Sequence, residues 1–389
     1  MGMKTIEIRS YVCMLNYLEM PIEENRSIIE WLMNNGGPVI RYRTAIEFLD
    51  NYQLEKDFIK DIVNDEKIQY LLAKLDDFGP IKTNDKRTLN AIHKVDGLEG
   101  YISKLLEFGF TKNIKPFDKK MRIFRQYVNN NLVQQANASR SGQDVRNNWA
   151  IFIAVLMTCF LIRAGYRYKE LLDFVEFRTE ALYRNAKEMN YDVYYDQSVL
   201  SRMLKRPHHW LNTPVLRSEF DPGFNERPLP NIWDIYTLAY FPEDCKSNKL
   251  RMKIDRIIEY VLDDRFQVLR EGYGLLFFNA NKRYYTCGWS PTLPYFHNVE
   301  NKRDKRVLVR YVDLMARFKN ATNSDWMKKC INHLEEFKTA TGTYTFPKNY
   351  LSEKYVRLGE NRRKKNAIEI ESTFRMLLLK KTLAGSPEY

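Results

Sequence analysis

Residues 149–162 read WAIFIAVLMTCFLI, and this stretch decides the fold class. It runs for 14 positions with Thr158 as its one polar side chain. A helix on a protein surface carries a polar stripe, and this one has none, so the run predicts a helix covered on every side. It is too short to cross a bilayer, which takes roughly 20 apolar residues. A helix of this kind needs a layer of other helices around it.

Those other helices are legible outward from it. Before it, apolar residues recur at helical spacing over Ile22–Asn34, Val39–Asp50 (Pro38 in the first turn), Glu66–Asp77, Leu98–Phe108 and Asp118–Gln135. The apolar helix itself is expected over Asp144–Arg163, closed by Gly165, and is followed by Tyr168–Asn190 and Asp196–Lys205. Residues 207–232 hold five prolines and read as an irregular connection between two halves of a single domain, 1–389. Helices resume over Ile232–Tyr240, Lys249–Leu262, Asp304–Phe318, Ser324–Thr339 and Ala367–Leu383. Between them, the aromatic stretch Tyr273–Trp289 predicts a small hairpin, and no large sheet is expected.

One shape recurs: a helix, a glycine-bearing aromatic turn, another helix. It is seen at 71–85, 104–118 and 333–349, with a longer variant at 269–285. Leu72, Leu75, Phe78 and Gly79 are echoed by Leu105, Leu106, Phe108 and Gly109. The spacings are too irregular for a short solenoid unit, but such hairpins can stack into a curved array or close into a ring.

With 389 residues, 44% hydrophobic and 29% charged, the chain is globular and has ample length for a core. Its 16 glycines and 14 prolines are too few for a collagen-like or linker-dominated chain. The five cysteines are scattered and unpaired by spacing, and no secretory segment opens the sequence, so reduced thiols in a cytoplasm are expected. The net charge of +13 sits in one half. Residues 1–245 hold 33 basic and 33 acidic side chains, and residues 246–389 hold 29 and 16. Its densest clusters are 302–306 and 362–365. Such a field gathers phosphates, or is simply a solvated face.

Several segments carry a family resemblance. They are Trp31-Leu32, Val39–Thr44 (VIRYRT), Leu229–Asp234 (LPNIWD), Glu271–Gly274 (EGYG), Gly288-Trp289-Ser290 and Gly342–Pro347 (GTYTFP). The most specific are Gly359–Arg363 (GENRR) and Glu371–Arg375 (ESTFR). On these residues the chain resembles bacterial proteins of the squalene-cyclase and protein-prenyltransferase-like α/α-toroid superfamily. The resemblance implies an all-α fold of inner and outer helices, a complete or incomplete ring, around a central cavity. It also implies an isoprenoid or another apolar ligand. The family's chemistry does not carry over with it. The chain has no DxDD acid and no DDxxD metal motif, and Cys287, His297 and His333 have no spacing that marks a zinc site. No metal and no cofactor are expected. Dinucleotide, P-loop, GxSxG and HExxH motifs are absent, as are zinc-finger, RNA-recognition and helix-turn-helix signatures.

Two sets of residues remain as candidates. Trp233 and Tyr236 share a helix face with Asp234 beside them, after a proline-rich turn. Aromatic faces can hold apolar chains or a cation, and the carboxylate can act as an acid. The plainer account places Asp234 in the first turn, where the helix dipole favours it. The second set is Glu360, Arg362, Arg363, Glu371 and Arg375, with Glu371 and Arg375 one turn apart. Its arginines can grip a phosphate or carboxylate, or the set can be an ion-pair network fixing the last helix. Asp234 and Glu371 are thus the catalytic candidates. Trp233, Tyr236, Arg362, Arg363, Arg375 and the hairpin's Trp289 are the ligand-binding ones. Two functions follow: an isoprenoid or anionic small molecule bound in a cavity, or a scaffold whose basic face (302–306 and 362–365) binds nucleic acid or an acidic partner.

Overall fold

A computed structural model of the chain describes residues 22–49, 52–78, 96–125, 145–203, 205–222, 227–278, 282–297, 301–353 and 357–385. It is mostly helical with one small sheet. The longer helices are α1 (Ile22–Asn35), α2 (Pro38–Thr44), α3 (Tyr52–Val63), α4 (Glu66–Lys74), α5 (Leu98–Glu107), α6 (Val145–Arg163), α7 (Lys169–Ala186), α8 (Ile232–Tyr240), α9 (Asn248–Leu262), α10 (Lys302–Met315), α11 (Asp325–Glu335) and α12 (Ala367–Ala384). A further helical segment covers 115–125.

Local chemistry sets their ends. Asp65, Asn231, Ser247, Asn301 and Ser324 each cap a helix by accepting backbone N–H bonds in its first turn. α5 and α6 close in the same way. Gly109 and Gly165 take positive φ (86° and 85°), which glycine adopts without strain. In each turn two amides bond back to helix carbonyls, Phe110 N to Leu105 O and Gly109 N to Leu106 O in one, Tyr166 N to Leu161 O and Gly165 N to Ile162 O in the other.

The apolar run behaves as its composition demands: every residue from Phe152 to Ile162 in α6 is buried. Its neighbours include α5 and α8. Contacts continue from α8 to α10, from α10 to α12 and from α12 to α2. The Tyr42 hydroxyl then donates to the Gly109 carbonyl at 3.3 Å, linking α2 to the end of α5. Other helices flank this sequence of neighbours. α1 lies on α2 and α12, α3 on α2, α4 on α5, α11 on α10, and α7 pairs with α9.

Four features depart from the sequence reading. α3 was not anticipated, although Leu54, Phe58, Ile59 and Ile62 give it a helical stripe. The helix expected over Asp196–Lys205 shrinks to the single turn Gln197–Leu200. The expected hairpin is present as β2 (Gly274–Phe278) and β3 (Arg283–Cys287), antiparallel, with Leu276 opposite Tyr285. A third strand, β1 (Val215–Leu216), comes from the proline-rich connection and pairs in parallel with β2. The 118–135 helix begins earlier, at 115, and its part after 125 lies outside the described residues.

Candidate ligand site

α5 and α6 each carry a charged residue two positions before the closing glycine, Glu107 and Arg163. The shared turn brings them together, with the Arg163 guanidinium 3.0 Å from Glu107 Oε1. Arg375 of α12 reaches the other oxygen, Oε2, at 2.9 Å. Arg43 of α2 donates to the Glu107 main-chain carbonyl and, through its other terminal nitrogen, to Glu47 at 2.8 Å. One carboxylate is thus shared by two guanidiniums from different helices.

The network extends through aromatic faces. The Arg163 guanidinium lies 4.6 Å from the centre of the Tyr236 ring and 5.3 Å from Tyr240, both on α8. Arg317, just past α10, stacks on Tyr240 at 4.1 Å. Such contacts are worth more where water is excluded. On α10, Arg310 pairs with Glu353 at 2.9 Å. Arg310 also feels Tyr236 and Glu107 electrostatically, so all six helices α2, α5, α6, α8, α10 and α12 contribute a charged or phenolic side chain to one cluster.

Its electrostatics follow from burial and charge. Burial alone would raise the Glu107 carboxyl, but the guanidiniums of Arg375, Arg163 and Arg43 outweigh it and hold it down at about 2. Glu353 goes the other way, because its burial outweighs the attraction of Arg310. Burial also brings Lys104 of α5 down to about 8, against the pull of Glu371 and Glu107. Asp313 of α10 attracts Arg317 and Arg375, so among the described residues the cluster holds five guanidiniums (Arg43, Arg163, Arg310, Arg317, Arg375) and four carboxylates (Glu47, Glu107, Asp313, Glu353). Several of its polar atoms are buried without a hydrogen-bond partner among the described residues: Nε of Arg163, Arg310 and Arg317, Oδ1 of Asp313 and Oε2 of Glu353. Such atoms are costly unless something satisfies them.

Two of the residues singled out from sequence, Tyr236 and Arg375, lie in this cluster. Asp234 does not face it. Its carboxylate is held by Arg178 of α7, and it completes a capping box with Asn231 at the start of α8. Trp233 is buried beside Tyr236, with ring centres 6.1 Å apart. Glu371 is buried early in α12, where it pairs with Arg362 and accepts the Leu358 amide at 3.0 Å, both from the segment ahead of the helix. Arg363 is exposed, and its amide donates to Asn361. Trp289 stands apart in a cleft beside the hairpin. Among the described residues, no three His, Cys, Asp or Glu side chains gather as a metal site.

Arg43, Glu107, Arg163, Arg310 and Arg317 were not singled out in the sequence. The signal for two of them was present. Glu107 and Arg163 each end a helix two residues ahead of a glycine.

Comparison with family models, with curated proteins and with solved structures finds no match to this chain.

Proposed function

We propose that the chain is an α/α toroid and that its polar centre binds a small molecule through a phosphate or carboxylate group. The inner helices would be α2, α5, α6, α8, α10 and α12, and α1, α3, α4, α7, α9 and α11 would form the outer layer. The observation that carries this reading is the convergence of five guanidiniums from four elements on one cluster whose unpartnered buried atoms are mostly N–H donors. Arginine is the side chain best shaped to grip phosphate or carboxylate. Among such ligands, an isoprenyl diphosphate is the one that the family resemblance implies.

The test is thermal stabilisation by farnesyl diphosphate, inorganic diphosphate and uncharged farnesol, in the parent and in Arg310→Gln. Arg310 suits this because it is partly exposed, at 21%, and can be changed without emptying the core. The two diphosphates should raise the melting temperature of the parent, and the Arg310 variant should lose that response while keeping its fold. Stabilisation by farnesol alone, or by none of the three, overturns the anion reading.

A second reading, nucleic-acid binding, is favoured by the exposure of Lys302, Arg306, Arg363, Lys364 and Lys365. Retention on DNA with a steep loss as salt rises would support it, and passage through the column at low salt would exclude it.

A further inference from the structure

Away from the arginine cluster, a cleft opens between the hairpin and the first half of α6. The space between its walls is roughly 490 Å³ with the open solvent at its mouth included. Strand alternation builds one wall. Leu276 and Phe278 on β2 and Tyr285 on β3 fall on the same face of the hairpin, and all three line the cleft. Phe152 of α6 and Trp289 supply the opposite rings, stacked 4.7 Å apart. Phe278 and Tyr285 meet edge to face at 5.2 Å. Among the described residues that line the cleft, Asp221 is the one with a charged side chain.

Trp289 is unusual twice over. Its φ of 69° lies in the left-handed region, where a bulky side chain is strained. The residue is 38% exposed, although a tryptophan gains most by burial. The strained backbone is held by its own carbonyl, which accepts the Ile232 amide at 2.7 Å. The protein therefore fixes an indole at the mouth of a cleft in a conformation that the free chain avoids. Backbone strain of this kind concentrates at ligand clamps.

The cleft's chemistry points to a cation. Aromatic faces are negative at their centres and attract alkylated ammonium groups. Burial first, then the Asp221 carboxylate, keep the Cys287 thiol on the cleft wall well above its ordinary pKa. The thiol is thus neutral and poorly nucleophilic, so the site is suited to binding rather than covalent chemistry. Arg178, which donates to the Pro222 carbonyl at the cleft's edge, has its charge matched by Asp234.

We infer that this cleft is an aromatic cage for a trimethylammonium group, formed by Phe152, Phe278, Tyr285 and Trp289 with the Asp221 carboxylate as counter-charge. The group can come from a free small molecule such as choline or from a trimethylated lysine side chain of a peptide. The inference does not depend on the anion site.

The experiment titrates the full chain with choline, with its uncharged carbon isostere 3,3-dimethylbutanol and with a short trimethyl-lysine peptide, following tryptophan fluorescence and calorimetry. A cation held by ring faces and a carboxylate should bind at least roughly tenfold more tightly than its neutral isostere. Trp289→Ala should abolish binding, Trp289→Phe should retain part of it, and Asp221→Asn should weaken the cation but not the isostere. Circular dichroism checks that each variant is folded. Binding of choline alone assigns a free small molecule, and binding of the peptide alone assigns a protein side chain. Equal affinity for choline and its isostere, undiminished binding in folded Trp289→Ala, or no binding of either cation overturns the cage.

Discussion

Arg178 and Asp234 meet in a two-pronged ion pair that joins α7 to α8, with Nε to Oδ1 and a terminal nitrogen to Oδ2 both at 2.9 Å. Their side chains are 5% and 2% exposed. Asp234 Oδ2 also accepts the Asn231 amide, so both carboxylate oxygens are engaged. Removing one partner strands the other charge, so Asp234→Asn should lower unfolding free energy by about 3–5 kcal/mol. The paired change Arg178→Met with Asp234→Leu should restore much of it, because an apolar pair of similar volume needs no desolvated charge. Urea denaturation of the three variants checks both statements. Diphosphate-induced stabilisation should survive in the double variant, since the pair lies outside the arginine cluster.

Glu107 predicts an acid transition. Its folded pKa of about 2 lies below the ordinary 4.5, so the folded chain binds fewer protons there than the unfolded chain does. The stability it contributes is complete above 4.5 and drains away as the pH falls toward 2. Glu353, Glu360 and Glu371 are raised, chiefly by burial, and their sign is opposite: the fold gains from their protonation as the pH comes down toward 4.5. Urea midpoints should therefore hold or rise on mild acidification and fall steeply below it. Glu107→Gln should flatten the acid limb, and at neutral pH it should cost about 3–5 kcal/mol by leaving Arg163 and Arg375 unmatched.

Leu156 lies at the middle of α6 and has no exposed surface. Leu156→Ala should cost about 2–5 kcal/mol as transfer and cavity terms add. Leu156→Asp should leave no folded protein, because an unpaired carboxylate there has no partner to offset its desolvation. Soluble yield and near-ultraviolet circular dichroism of the two variants read this directly.

Gly274 has a φ of 102°, and a Cβ built on it would stand 2.4 Å from the Pro214 carbonyl oxygen. That same oxygen accepts the Leu275 amide at 2.9 Å, where β1 meets β2. Gly274→Ala should therefore push the two strands apart and cost at least about 1–3 kcal/mol of backbone strain. A lowered melting temperature should be accompanied by weaker choline binding, since Leu276 and Phe278 follow on the same strand.

The helical class was legible because α6 leaves no other choice: 149–162 has no polar face, and periodicity marks most of its companions. The hairpin was legible from the aromatic run between Tyr273 and Trp289. α3 was lost among its own charges, since Glu55, Lys56, Asp57, Lys60 and Asp61 interleave the apolar stripe. β1 is two residues long and acquires strand character only from β2, so no local pattern could announce it. The arginine cluster is a tertiary fact. Arg43, Arg163, Arg310 and Arg375 are scattered over more than three hundred positions, and each looks locally like the cation that commonly ends or decorates a helix. Tyr236 and Arg375 were picked out by their neighbours in sequence, whereas what unites them in space is the pair of Arg163 and Glu107, whose place ahead of a glycine says nothing of the partners they meet.

The contact of α12 with α1 and α2 has a consequence for biosynthesis. The Gly37 amide donates to Glu360 Oε1 at 2.6 Å across 323 positions of sequence. A ribosome delivers the early helices first, at roughly 5–20 residues per second. α1 and α2 must then wait for tens of seconds before the helix they pack against emerges from the exit tunnel. During that interval their apolar faces are open to holding chaperones. Completion of the last helix, rather than collapse of the first ones, is then the event that commits a nascent molecule to its native state.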